Sequence, residues 1–152
     1  MNGQQPRRLF VVLSRFVLGV VFVVAAVDKI AVPEVFAISI EAYRLIPVSL
    51  VNIFALVVPW IELLCGVFII AGVRQRACAL ILSALLALFI GAIFSAMARD
   101  LKIDCGCFGA AHASPVGWPK IAEDAGLLLL ALFVYRKSLP AEIPADAFPE
   151  AQ

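Results

Sequence analysis

The sequence predicts an all-α integral membrane protein, a four-helix bundle with a short amphipathic segment between its first two spans. Three observations lead there. Of the 152 residues, 64% are hydrophobic and 15% charged, against roughly 45–50% and about 25% in an ordinary soluble domain. A chain of this size cannot hide that surplus in a water-soluble core, because about 30% of the surface of its extended chain would stay wet. Several apolar stretches approach the ~20 residues a helix needs to cross a bilayer. Finally, Lys and Arg recur on every second connection, the pattern that sets orientation.

The first stretch covers residues 9–27 and is interrupted by Arg15. Arg7 and Arg8 precede it, which also suits a signal peptide. That alternative is disfavoured, since the apolar run exceeds the usual ~7–15 residues and no clean A-x-A site follows. Between Pro33 and Pro47 the apolar residues recur near helical spacing. This predicts a short amphipathic helix on the outer membrane surface, serving either as a lid over the cysteine run described below or as a plain connector.

The second stretch, 48–73, contains Glu62, with Pro59 one turn ahead as an expected kink. Trp60 within it reads as a packing residue. The third, 77–98, carries no charge. The fourth, 119–135, is the weakest, because Lys120, Glu123 and Asp124 crowd its first turns. Pro119 suits the first turn of a helix, and Trp118 suits an interfacial anchor. Residues 1–137 thus form one transmembrane domain. Residues 138–152, rich in Pro, Ala and acids, read as a disordered cytoplasmic tail.

Arg7 and Arg8, Arg74 and Arg76, and Arg136 and Lys137 fall on one side of a four-span chain. The bias places both termini in the cytoplasm and the first and third connections outside. In a bacterium the protein would sit in the inner membrane, with those connections in the periplasm, where disulfides persist. Net charge is +1, and no basic stripe or aromatic platform points to nucleic acid.

Two cysteines stand in the third connection, in the run Asp104-Cys105-Gly106-Cys107-Phe108-Gly109. Cysteines one residue apart bond only across a tight bend, and Gly106 removes the Cβ obstacle to it. So small a ring would constrain the unfolded chain little, and strained, exposed disulfides tend to be labile. Redox exchange through Cys105 and Cys107 is therefore the leading reading. A loop staple is the bland one. A metal site built from Asp104, Cys105, Cys107 and His112 lacks the familiar spacing and a second pair, so no metal is assigned. Cys65 and Cys78 differ by roughly 10 Å in expected depth at 1.5 Å per residue. They are read as unpaired, buried small hydrophobes.

Charges at membrane depth normally pair or face a wet cavity. Arg15 and Glu62 both fall in the cytoplasmic half of antiparallel spans and are expected to pair with each other. The pair would fix helix register or, alternatively, form a polar site for a proton or substrate. Gly19, Gly66, Gly72 and Gly91 would let helices approach closely.

Taken in order, several segments resemble a known family. They are Arg15-Phe16-Val17-Leu18-Gly19-Val20-Val21-Phe22, then Asp28-Lys29-Ile30, and the connector end Tyr43-Arg44-Leu45-Ile46-Pro47. Pro59, Glu62, Gly66 and Gly72 follow, and then the cysteine run. Over roughly residues 10–137 this is similar to the methylamine-utilisation MauE family, within the DoxX-like four-helix membrane proteins. The cysteine run is its more specific mark. The resemblance implies a role in maturation or export of methylamine dehydrogenase, whose small subunit is dense in disulfides. It also implies a thioredoxin-like, MauD-like periplasmic companion.

Two functions follow. In the first, Cys105 and Cys107, supported by Asp104, Gly106, Phe108 and Gly109, exchange electrons with a thioredoxin-like partner on behalf of a disulfide-containing client. In the second, the chain is a non-enzymatic membrane assembly or transport factor and the cysteines only staple a loop. No cofactor is assigned. A quinone enters only by analogy with DsbB and vitamin K epoxide reductase, which use two cysteine pairs, whereas one convincing pair is present here.

Overall fold

A computed structural model describes residues 5–101, 103 and 116–138. Their regular structure is entirely helical: α1 (Gln5–Ala31), α2 (Pro33–Ala42), α3 (Val48–Ala71), α4 (Gln75–Ala98) and α5 (Trp118–Lys137). Three of these, over Leu9–Ala31, Val48–Ala71 and Gln75–Ala98, are long and apolar enough to cross a membrane.

The distribution of side chains inverts that of a soluble bundle. Leu13 and Phe16 of α1, Leu56 and Leu64 of α3, Leu88 and Phe94 of α4 and Leu129 of α5 all face outward, while Lys29, Glu62, Ser83, Lys120 and Asp124 are buried. Water would penalise the first set and lipid the second, so the fold is that of a membrane protein. Trp60 is exposed among the outward-facing residues, which corrects its reading as a packing residue. Trp118 is exposed at the first position of α5.

α1 packs most extensively along α3, and α4 along α5, with further contacts of α3 on α4 and of α1 on α5. α1 and α3 come close together at Gly19 and Gly66. A Cβ on Gly19 would meet Gly66 O at 2.8 Å and collide with Ile70, and a Cβ on Gly66 would meet Gly19 O at 3.0 Å. Small residues let the two backbones approach this far, and dispersion rather than water exclusion then holds them in lipid. The central core joins Leu18, Phe22, Ile69, Leu82, Leu86, Ala131 and Val134.

The ends of the bundle differ. At one, α3 and α4 are joined by a tight turn. Gly72 adopts φ 80°, and Val73 N–H donates to Phe68 O at 2.9 Å, the hydrogen bond that closes a helix C-terminus through a left-handed residue. This ends α3 two residues earlier than the sequence predicts, and α4 starts two residues earlier at Gln75.

The other end is roofed by α2. Pro33 starts this helix, and the helix lays buried Phe36 against the bundle. The amphipathic segment is therefore a helix. A second small core lies beneath this end, where Tyr43, Ile93 and Ala96 pack with Met97, Ile103, Val116 and Ile121. Arg99 of α4 donates to Tyr43 O, tying α4 to the connector between α2 and α3.

Candidate functional site

Glu62 is 1% exposed and Lys29 2% exposed, so both charges are withdrawn from the surface. Lys29 Nζ donates to both carboxylate oxygens, at 2.9 and 2.7 Å. The same ammonium lies 5.0 Å from the ring centroid of Phe36 in α2 and 5.3 Å from that of Phe89 in α4. The two ring faces thus supply negative potential beside the carboxylate. Burying either charge alone would be strongly unfavourable, and two short charge-assisted bonds with two ring faces offset the loss of water.

This arrangement corrects the expected pairing of Arg15 with Glu62. Gly19 lies opposite Gly66, which places Arg15 level with Ile69 and Ile70. Eight residues separate Glu62 from Ile70, about 12 Å along the helix. Side-chain direction completes the account. Helical side chains lean toward the N-terminus of their own helix. In this antiparallel pair Arg15 leans away from Glu62, while Lys29 and Glu62 lean toward each other. Arg15 instead donates from Nε and Nη2 to Ile69 O, at 3.2 and 3.0 Å, and from Nη2 to Ile70 O at 3.4 Å. It caps the C-terminus of α3, sharing Ile69 O with the Gly72 N–H and reaching on to Ile70 O, where a cation is favoured by the helix dipole.

α5 adds a buried carboxyl group beside this pair. Asp124 is 3% exposed, and among the described residues its Oδ2 is the buried side-chain oxygen with no hydrogen-bond partner. It lines a cavity of about 30 Å³ together with Lys29, Glu62, Phe22, Ala25, Leu86, Phe89 and Leu127. Four helices therefore line one polar point, and α2 meets it through the Phe36 ring on Lys29. Nearby, burial and then the charge of Asp124 push the Tyr43 phenol up to about 12.

Sequence reasoning missed Lys29 and Asp124 as members of this site. Both sit near a helix end, where a charge ordinarily reads as interfacial. The available signal was geometric: setting Gly19 against Gly66 in an antiparallel pair brings Lys29, not Arg15, within reach of Glu62.

Cys65 and Cys78 are buried and unpaired, as expected, but lie closer in depth than expected. The two share one core cluster. The earlier end of α3 and earlier start of α4 explain this. Cys65 lies six residues before the end of α3 and Cys78 three after the start of α4, a depth difference of about 4.5 Å rather than 10 Å.

Asp104, Cys105, Gly106, Cys107, Phe108, Gly109 and the tail after Ser138 lie outside the described residues. The residues flanking the cysteine run are described: Val116 N–H donates to Ile103 O at 2.9 Å. Ile103 and Val116 thus meet at the end roofed by α2. Among the described residues no group of three His, Cys, Asp or Glu is placed to hold a metal. An almost wholly apolar cavity of about 290 Å³ lies between α2, α3 and α4, lined in part by Phe36, Tyr43, Phe54, Leu85 and Phe89. Its lining suits a hydrocarbon chain rather than a polar cofactor head.

A family model described as methylamine utilisation protein MauE matches residues 7–136. The methylamine utilization protein MauE of Paracoccus denitrificans is 32% identical over 133 residues, covering 87% of this chain and 71% of that protein. The protein of the same description from Methylorubrum extorquens is 35% identical over 108 residues, covering 70% of this chain and 58% of that one. A third, from Methylophilus methylotrophus, is 30% identical over 136 residues, covering 88% and 70%. No solved structure matches.

Proposed function

We propose that this chain, which belongs to the MauE family, is a membrane component of thiol–disulfide exchange that serves the maturation of a disulfide-containing client in methylamine utilisation. The observation that carries the reading is the Cys105-Gly106-Cys107 run, on a stretch whose feet, Ile103 and Val116, are hydrogen-bonded at the α2 end of the bundle. Chain length alone bounds the reach of such residues to ~3.3–3.6 Å each. Cys105 is two residues from Ile103, so it stays within about 7 Å of that anchored foot. A macromolecular partner would have to dock on the bundle end to meet it.

In the exchange, a thiolate of one cysteine attacks a disulfide sulfur of the partner. A mixed disulfide forms and the partner's second sulfur leaves as thiolate. The other cysteine then attacks the mixed disulfide, forming the Cys105–Cys107 bond and releasing the partner as dithiol. Two electrons pass to the partner, and the reverse sequence returns them. The partner class is a thioredoxin-like, MauD-like protein, and the client by family is the methylamine dehydrogenase small subunit. Arg74, Arg76, Arg136 and Lys137 lie at the opposite end of the bundle. This supports an inner-membrane topology with both termini cytoplasmic and the cysteine run in the periplasm.

Trapping tests the proposal. Cys107→Ser or Cys105→Ser should accumulate a mixed disulfide with a periplasmic protein in cells running the pathway. A Cys105→Ser/Cys107→Ser protein that supports growth on methylamine as well as the wild type would instead establish the cysteines as a loop staple on an assembly factor.

A further inference from the structure

We propose that Asp124, together with the Lys29–Glu62 pair, forms an intramembrane proton-exchange site, in which the Asp124 carboxyl gives its proton to, and takes it from, water held in the adjoining cavity. The step is a simple transfer: the carboxylic acid and one water become the carboxylate and a hydronium, with no change of oxidation state. It stands apart from the cysteine chemistry and does not depend on it.

Three observations carry it. First, the two carboxylates are not equivalent. Glu62 receives two N–H bonds from Lys29, which favour its anion as one half of a pair. Asp124 is as deeply buried, but its Oδ2 has no partner. A bare carboxylate oxygen in so apolar a place is costly, and a proton or a water donor relieves it. Second, that oxygen borders a cavity of about 30 Å³. A water needs roughly 10–15 Å³ by this measure, with two or more polar partners, so about two waters fit. Lys29, Glu62 and Asp124 offer the partners. Third, the remaining walls, Phe22, Ala25, Leu86, Phe89 and Leu127, are apolar, so water there has few other groups to bond.

The charges facing Asp124 let both protonation states exist. Lys29 comes from α1, Glu62 from α3, and Lys120 and Glu123 from α5 itself, the last two joined at 2.8 Å. Tyr43 approaches from the connector, its carbonyl held by Arg99. α2 and α4 contribute the rings of Phe36 and Phe89. Lys29 and Lys120 steady the anion when the proton leaves. The Lys29–Glu62 pair stays intact in both states, so proton exchange leaves the α1–α3 contact unbroken.

The test uses the full-length protein in lipid nanodiscs and dicyclohexylcarbodiimide, an apolar reagent that adds to protonated carboxyls and not to carboxylates. Peptide mass spectrometry should find the adduct on Asp124 and not on Glu62. Its yield should fall about tenfold per pH unit above the midpoint of titration. In Lys29→Met, where Glu62 loses its counter-ion, Glu62 should become labelled as well. Infrared spectroscopy supplies a measurement independent of reagent access. A carboxylic-acid carbonyl band should respond to deuterium exchange and to pH, vanish in Asp124→Asn, and survive in Glu62→Gln. An adduct on Glu62 in the wild type would overturn the proposal. So would the absence of both the Asp124 adduct and the Asp124-dependent band from about pH 4 to about pH 9, a range that brackets ordinary carboxylate titration.

Discussion

Replacing Lys29 by Met is the most informative single perturbation of this fold. Met keeps the length and apolar stem of Lys and still packs between Phe36 and Phe89, so cavity formation is minimised. What disappears is the ammonium that donates twice to Glu62, at 2.9 and 2.7 Å, with both residues almost wholly buried. Removing one member of a buried pair strands the other, and the usual cost is about 3–5 kcal/mol. Loss of the cation–ring contacts adds about 0.5–2 kcal/mol. The expected destabilisation is thus about 3.5–7 kcal/mol, less what Glu62 recovers by taking up a proton. The discriminating variant is Lys29→Met/Glu62→Met, in which no charge is stranded and apolar packing replaces the pair. It should regain most of the loss and approach wild-type stability. Denaturant unfolding in mixed micelles, followed by tryptophan fluorescence and far-ultraviolet circular dichroism, measures all three proteins. A single variant as stable as the wild type would refute the reasoning. A double variant as damaged as the single one would refute it too, since the harm would then come from shape and not from charge.

Other outcomes follow from the same packing. Gly19→Ala should cost about 1–3 kcal/mol by forcing α1 away from Gly66 and Ile70, while Gly91→Ala, where a Cβ meets nothing within 4 Å, should be neutral or slightly stabilising in the same unfolding assay. Arg15→Gln should cost about 1–2 kcal/mol by uncapping the Ile69 and Ile70 carbonyls. It should also leave the infrared signature of the Lys29–Glu62 pair unchanged, contrary to an Arg15–Glu62 pairing. The raised Tyr43 phenol contributes stability that is fully present below about pH 10 and is lost as pH rises toward about 12. Thermal unfolding of Tyr43→Phe should lack that alkaline component. In a Cys105→Ser/Cys107→Ser background, dibromobimane should bridge Cys65 and Cys78 and become fluorescent. Absence of the bridged peptide in a protein shown to take up the reagent would place the thiols apart.

Three of the spans were legible in the sequence, because long apolar runs leave few alternatives to a helix in lipid. The uncharged run of α4 and the Pro33 start of the α2 segment fell within a few residues of their observed positions. The turn between α3 and α4 was less legible. Val73 continues the apolar run, and only the left-handed Gly72 ends the helix before it. That two-residue error in each boundary was enough to misplace Cys65 relative to Cys78. The polar site was half legible. Glu62 stands out because it interrupts an apolar stretch, and so does Arg15, but depth alone made partners of the two. Register and the lean of helical side chains decide the matter, and register appears only once Gly19 meets Gly66. Asp124 was obscured by Lys120 and Glu123 beside it, a group that reads as a solvated helix start. In the fold Glu123 is half exposed and Asp124 is enclosed.

The position of Lys29 at the last turn of α1 has a bearing on how the chain enters the bilayer. A lysine at the centre of an inserting helix opposes insertion by roughly 2.5–3.5 kcal/mol, whereas one near the end reaches the headgroups and opposes it far less. α1 can therefore be released into lipid early, with its ammonium still hydrated at the rim. Only when α3 arrives with Glu62, and Phe36 settles over the top, is that ammonium drawn inward. Assembly of the bundle would thus proceed from a loosely seated first helix to one locked by its neighbour, with the late desolvation of a single cation marking the moment of commitment.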